Sequence, residues 1–141
     1  MVHLAATDAD IADCFDVYVQ LRPHLKNADD LVTRVRRQMA EGFRLAVIRV
    51  NGRVAAVAGF RIFECLHAGK HMYVDDLVTD ANQRSTGLGH EMMAWLVDYA
   101  RQHQCEQLHL DSGVQRFEAH RFYLRERMHI TSHHFAMKLK S

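Results

Sequence analysis

Proline is nearly absent from this chain: Pro23 stands alone among 141 residues, and no proline-rich linker or low-complexity segment interrupts the sequence. Cysteine is scarce as well. Cys14, Cys65 and Cys105 are far apart and odd in number, which excludes a disulfide framework and points to a reducing cytoplasm. Net charge is almost missing, since 18 Lys and Arg face 17 Asp and Glu for a formal +1. Nothing global therefore draws the chain to nucleic acid or to a membrane surface. No apolar run approaches the roughly 18 residues of a membrane span, and the opening MVHLAATDAD lacks the basic-then-apolar pattern of a signal peptide. With 48% apolar and 25% charged residues, the expectation is one soluble domain over residues 1–141 with a real core.

Histidine stands out, with 11 residues. His67 and His71 are spaced i, i+4, but Gly69 lies between them in a loop running into a strand. His133 and His134 are neighbours that would point to opposite faces of a strand. No cysteine or carboxylate stands at zinc-like spacing around either pair, so no metal is expected, and the histidines read as surface or edge-strand residues.

Periodicity gives the order of elements. His3–Ala6 reads as a short strand, followed by a helix capped at Thr7 or Asp8 that runs to about Arg22, where Pro23 ends it. A second helix covers about Ala28 to Glu41, with Leu31, Val35 and Met39 inward and Gly42 as its stop. FRLAVIRV and RVAAVAGFRIF flank Asn51-Gly52, the pair that best fits a type I′ hairpin turn. Glu64–Gly69 reads as a loop and HMYVDDLVT as a strand. A helix follows from Gly87 to about His103, then a short strand over Gln107–Leu110. Another helix covers Arg116–Arg127 with Ala119, Phe122 and Tyr123 inward. A final strand over Ser132–Leu139 alternates Phe135, Met137 and Leu139. The result is an α/β layer structure around a mixed sheet.

DANQRSTGLGHEM, residues 80–92, joins a strand to a helix through R-x-x-G-x-G. Glycines weaken a helix start by roughly 1 kcal/mol relative to Ala, so another requirement sets them there. The first amides of a helix lack internal partners, and the macrodipole adds positive potential. Glycine lets an anion approach the backbone without a Cβ in the way, and Arg84 adds a charge-assisted contact at the rim. The turn therefore suits a pyrophosphate. It is not a P-loop, because no Lys follows Gly89, nor a dinucleotide fingerprint, because Met92 replaces the third glycine.

With the preceding LVT strand, this element order, and AHRFYLRE after the next strand, the chain resembles the GNAT superfamily of acyl-CoA-dependent N-acetyltransferases over nearly its whole length. The tail EAHRFYLRERMHITSHHFAMKL looks most like small-molecule amine acetyltransferases of the aminoalkylphosphonate kind. The resemblance implies a single-domain, mostly antiparallel, twisted mixed sheet. Two splayed central parallel strands, Met72–Thr79 and Gln107–Leu110, would admit the pantetheine arm of acetyl-CoA, and about four helices would flank the sheet. It also implies cofactor contacts from Leu77, Val78 and Thr79 on the strand, and from Arg84, Ser85, Thr86, Gly87, Leu88, Gly89 and His90 at the turn and helix start. Where the family often has asparagine this chain has Arg116, which would reach the cofactor or an anionic acceptor group. Arg127-Met128 replaces the usual Gly-Phe pair.

The implied chemistry is attack of a neutral amine on a thioester. Tyr123 matches the family's tyrosine beside the CoA sulfur, and a phenol near pKa 10 suits protonation of a departing thiolate. The Val78 N–H is the expected oxyanion donor. Asp76 is the relay base or electrostatic anchor; Asp75, expected on the opposite strand face, and Glu64 join it as expected substrate-binding residues, with Glu64 and His120 as reserve bases. The implied acceptor is a small primary amine. A protein-acetylating enzyme and a non-catalytic acyl-CoA-binding module are the alternatives. Relatives of this type are often dimers, and the last strand offers an edge for a homodimer.

Overall fold

The computed structural model describes all 141 residues. The chain divides into two units, Met1–Leu110 and Asp111–Ser141. The first unit holds a five-stranded sheet in the order β1-β2-β3-β4-β5. Its strands are β1 (Val2–Leu4), β2 (Arg44–Val50), β3 (Arg53–Cys65), β4 (Gly69–Thr79) and β5 (Gln107–Leu110). All neighbours are antiparallel except β4 and β5, which run parallel. The helices are α1 (Asp8–Ala12), α2 (Phe15–Leu21), α3 (Ala28–Met39) and α4 (Leu88–Gln102), and no helix is long and apolar enough to cross a membrane.

Both faces of the sheet are covered, which explains the unbroken apolar runs in β2 and β3. Leu45 and Val47 pack with Ile11, Tyr18, Leu31 and Val35 under α1–α3, while Ala46 and Ile48 pack with Met92 and Leu96 of α4 on the other face. Phe60 meets Trp95 and Tyr99 of α4 edge-on at centroid distances of 6.1 and 5.2 Å. Asn51 and Gly52 take φ of 52° and 78°, the left-handed pair that a type I′ turn requires.

Local chemistry sets the helix ends. Thr7 Oγ1 accepts from the Asp10 amide at 3.1 Å and Asp10 Oδ2 accepts from the Thr7 amide at 3.2 Å, a capping box. Asn27 caps α3 by accepting from the Asp30 amide at 2.8 Å. The single first helix expected from the sequence is two, separated at Asp13–Cys14, so the chain has five α-helices rather than about four. Glu64 belongs to β3, opposite Lys70, and not to a loop. His71 is buried on β4, an interior strand, with Nδ1 3.0 Å from the Gly69 carbonyl.

In the second unit α5 (Phe117–Arg125) is the one regular element. The expected strand over Ser132–Leu139 does not form: the segment is exposed, including Phe135, Met137 and Leu139. Alternation supplies a face, but a strand exists only with a ladder partner, and this unit contains no strand to provide one. β5 is consequently an edge strand, and the parallel pair lies at the end of the sheet rather than at its centre.

Candidate active site

β4 and β5 pair over four registers, from His71 opposite Gln107 to Val74 opposite Leu110. β4 continues to Thr79. From Asp75 to Thr79 the strand therefore has β3 on one side and no ladder on the other, an open edge of roughly 16 Å at about 3.3 Å per residue.

A bulge in β4 falls where that edge begins. Phe60 of β3 opposes Val74 and Ala58 opposes Leu77, so the single residue Gly59 faces both Asp75 and Asp76. Val74 and Leu77 both pack on the α4 side, and the two aspartates between them share the other face. The expectation of opposite faces assumed strict alternation; the extra residue removes it.

The same register decides which amides face the open edge. Asp80 N–H donates to the Ala55 carbonyl at 2.8 Å, and hydrogen-bonded pairs alternate along an antiparallel ladder. Val78, opposite Val57, is thus the next bonded pair and turns its N–H toward β3, not toward an incoming group. Leu77 and Thr79 present their backbone groups to the open side.

The turn from Asp80 to Gly87 delivers the chain to α4. Ser85 and Gly87 have φ of 66° and 86°. Gly87 is the N-cap and offers no side-chain cap. The first amide satisfied inside the helix is that of Glu91, bonded to the Gly87 carbonyl at 3.0 Å. A Cβ on Gly87 would meet nothing within 4 Å, so the space over the helix start is open. Arg84, Ser85 and Thr86 are exposed around it, and Thr86 Oγ1 donates to the Gln83 carbonyl. Open amides, a left-handed glycine and free space fit a diphosphate.

Asp75 and Asp76 line a cavity of about 280 Å³ between β4, α2, α3 and the α2–α3 connection. Asp76 accepts from the Tyr18 hydroxyl on one oxygen and from Arg22 Nε at 2.8 Å on the other. Arg22 Nη2 also donates to the Asp75 carbonyl at 2.9 Å. Asp75 pairs with Arg61 at 3.0–3.2 Å. Burial raises the Asp75 carboxyl above its ordinary value, with Arg61 opposing. Burial, then the Asp76 charge, pushes the Tyr18 phenol well up. Gly59 makes this arrangement fit, because a Cβ there would lie 2.3 Å from Phe43 Cζ and 2.8 Å from the Tyr18 hydroxyl. Sequence reasoning missed Tyr18, Arg22, Arg61 and Gly59. The available signals were the glycine inside a strand and the apolar spacing of Met72, Val74 and Leu77, which breaks period two. Glu64 does not line the cavity.

In the second unit Tyr123 is partly buried on α5; burial raises its phenol from 10.0, and the Arg116 charge opposes this. Arg116 is the N-cap of that helix. His120 Nε2 lies 2.7 Å from the Gly113 carbonyl.

The family model described as Acetyltransferase (GNAT) family matches residues 10–128. An uncharacterized N-acetyltransferase of Bacillus subtilis, YhdJ, is 31% identical over 129 residues, 87% of this chain and 88% of that protein. The aminoalkylphosphonate N-acetyltransferase of Salmonella typhimurium is 34% identical over 85 residues, covering 60% of this chain and 54% of that protein. The crystal structure of a GNAT family acetyltransferase from Staphylococcus aureus superposes with a TM-score of 0.82 at 15% identity, covering 99% and 98% of the two chains.

Proposed function

This chain belongs to the GNAT acetyltransferase family, and we propose that residues 1–141 act as one domain transferring an acetyl group from acetyl-CoA to a primary amine of a small molecule. The observation that carries the reading is the parallel ladder stopping at Val74 while β4 runs on to Thr79. An extended pantetheine arm takes the place of the missing strand, bonded to the backbone of Leu77 and Thr79. Its diphosphate lies on the amides of Gly87, Leu88, Gly89 and His90, with Ser85 and Thr86 alongside and Arg84 at the rim. Arg116 takes a further anionic group of either substrate. Acetyl-CoA supplies the activated acyl carbonyl.

The protein's part is positioning and proton transfer. The Asp75–Asp76 pair receives the acceptor as an ammonium ion and takes its proton. Asp75, whose carboxyl burial raises above its ordinary value, takes the proton. The free amine forms the new C–N bond as the C–S bond breaks. The Leu77 N–H, on the open edge, donates to the carbonyl oxygen as charge gathers there. Tyr123 donates its proton to the departing sulfur, and the second proton that the nitrogen sheds on becoming a neutral amide restores the phenol. A cavity of about 280 Å³ favours a small acceptor over a folded polypeptide.

The test is thiol release from acetyl-CoA across a panel of amines, paired with calorimetric titration of acetyl-CoA into the Gly87→Val protein. The expected results are amine-dependent release and weakened binding by the variant, whose Cβ would enter the diphosphate space. Undiminished binding by Gly87→Val overturns the cofactor placement, and release that no amine stimulates leaves only an acyl-CoA-binding module.

A further inference from the structure

We propose that Phe63 and Tyr73 are positioning residues for proton transfer: their rings hold the Arg61 guanidinium against the Asp75 carboxylate, which keeps that base ionised until the acceptor arrives. The proposal deepens the acetyl-transfer reading and rests on it for the role of Asp75.

Strand periodicity assembles the group. Arg61 and Phe63 are two apart on β3, and Tyr73 and Asp75 two apart on β4, so each pair shares a face. The register sets Arg61 opposite Tyr73 and Phe63 opposite His71. Arg61 Cζ lies 5.4 Å from the Phe63 ring centroid and 5.6 Å from that of Tyr73, both inside the roughly 6 Å range of a cation–π contact. Phe63 is a large apolar side chain left 41% exposed, and this contact gives its ring a task. Behind it stands His71, buried and 3.0 Å from the Gly69 carbonyl through Nδ1, with the two ring centroids 4.4 Å apart. At its other edge the guanidinium grips Asp75 side-on: Nε reaches the two carboxylate oxygens at 3.2 and 3.1 Å, and Nη2 reaches Oδ1 at 3.0 Å.

The pair needs that support. The Arg61 side chain is 42% exposed, and an ion pair so open gains little, because ordering a long side chain offsets most of the attraction. Two ring faces restrict the guanidinium before it meets the carboxylate, which lowers the ordering cost. The charged and titratable groups around Asp75 are Arg61 from β3, Asp76 beside it on β4 and Arg22 from α2, with Tyr18, His24 and Arg34 on the same cavity lining. Burial raises the Asp75 carboxyl and the Asp76 charge adds to this, while Arg61 opposes them more strongly than Arg22 does. Should Arg61 swing into solvent, burial would be less opposed and Asp75 would protonate at higher pH. A protonated carboxyl cannot take the proton of an ammonium ion. Arg61, Phe63 and Tyr73 lie outside the cavity lining, so the acceptor meets Asp75 and the other three act through it.

The experiment follows the Asp75 carboxyl carbon by NMR across pH, in protein without acetyl-CoA or amine, beside the pH profile of kcat/KM for amine-dependent thiol release. Phe63→Leu and Tyr73→Leu each remove a ring but keep an apolar side chain. Each should move the Asp75 midpoint and the acid limb of kcat/KM to higher pH. The loss of kcat/KM should grow as the pH falls, to roughly twofold to fivefold, the worth of one exposed cation–π contact. Phe63→Trp and Tyr73→Phe keep a ring and should rescue both readouts. In the Arg61→Gln protein no cation remains to be held, so adding Phe63→Leu should move the midpoint no further. The same spectra report that each variant is folded. Midpoints unmoved by either leucine overturn the proposal and leave acetyl transfer intact. So do shifts that Phe63→Trp and Tyr73→Phe fail to rescue, or that Phe63→Leu still adds in the Arg61→Gln protein. Midpoints that move as expected, with thiol release that no amine stimulates, uphold the clamp and overturn the transferase reading.

Discussion

Gly59→Ala tests whether the bulge and the cavity are one construction. The added Cβ would sit 2.3 Å from Phe43 Cζ, 2.7 Å from Phe43 Cε1 and 2.8 Å from the Tyr18 hydroxyl. Ordinary contact begins near 3.4 Å, so the ring must retreat by about 1.1 Å. Phe43 and Tyr18 are only 1% and 3% exposed, which leaves neither side chain room to give way. Overpacking of this kind costs about 1–3 kcal/mol. Urea unfolding should show a lower midpoint with an unchanged slope. Displacing Tyr18 also loosens its bond to Asp76, so KM for the amine should rise while the affinity for acetyl-CoA stays near the parent's. Phe43→Leu deletes the two clashing ring atoms. The double variant should therefore lose less stability than the sum of the singles, by a coupling of about 0.5–3 kcal/mol. A Gly59→Ala protein as stable as the parent, or strictly additive singles, would refute the close approach.

Three other outcomes are expected. Tyr123→Phe should lower kcat by roughly 10²–10⁴ with acetyl-CoA affinity largely kept, and equal losses of rate and binding would remove the general-acid role. Arg61→Gln takes away the group that opposes protonation of Asp75, so the acid limb of kcat/KM should move to higher pH; a limb that stays in place excludes Asp75 as the titrating base. Burial pushes the Cys14 thiol up to about 12 from 9.0, so an aromatic disulfide reagent at pH 8 should label Cys65 and Cys105 but reach Cys14 only after denaturation. Because the folded value is the higher one, the stability gained from the neutral thiol is complete below 9.0 and fades as the pH climbs toward about 12.

Much of the fold was legible because the residues that specify it act locally. Asn51-Gly52 dictates its own turn, Thr7 its own cap, and Gly87 the helix start, each through backbone chemistry confined to a few neighbours. The left-handed glycine turn into α4 was readable for the same reason. The tail was misread because alternation in Phe135, Met137 and Leu139 specifies a face while the ladder partner lies elsewhere. The cavity beside the aspartates was opaque because Tyr18, Arg22 and Arg61 are 58, 54 and 14 residues from the aspartates they bond, and such pairings carry no spacing rule.

The misplaced donor has a more specific cause, and it ties fold to chemistry. Counting along VDDLVT as a regular strand puts Asp76 on the face of Val74. With Asp75 and Asp76 both opposite Gly59, the faces exchange after Val74, so Val74 and Leu77 stay in the α4-side core while both carboxylates turn into the cavity. The parallel ladder ends at Val74, the last position before the bulge, so the strand loses its β5 partner where its face pattern changes. One inserted residue thus has two consequences: it gathers the acids on the acceptor side and begins the segment whose Leu77 and Thr79 backbone groups face an unfilled edge. A deletion restoring strict alternation, removing Asp75, should abolish amine-dependent thiol release while leaving the α4 core of Phe60, Trp95 and Tyr99 folded. Retained turnover in that deletion would separate the bulge from the chemistry.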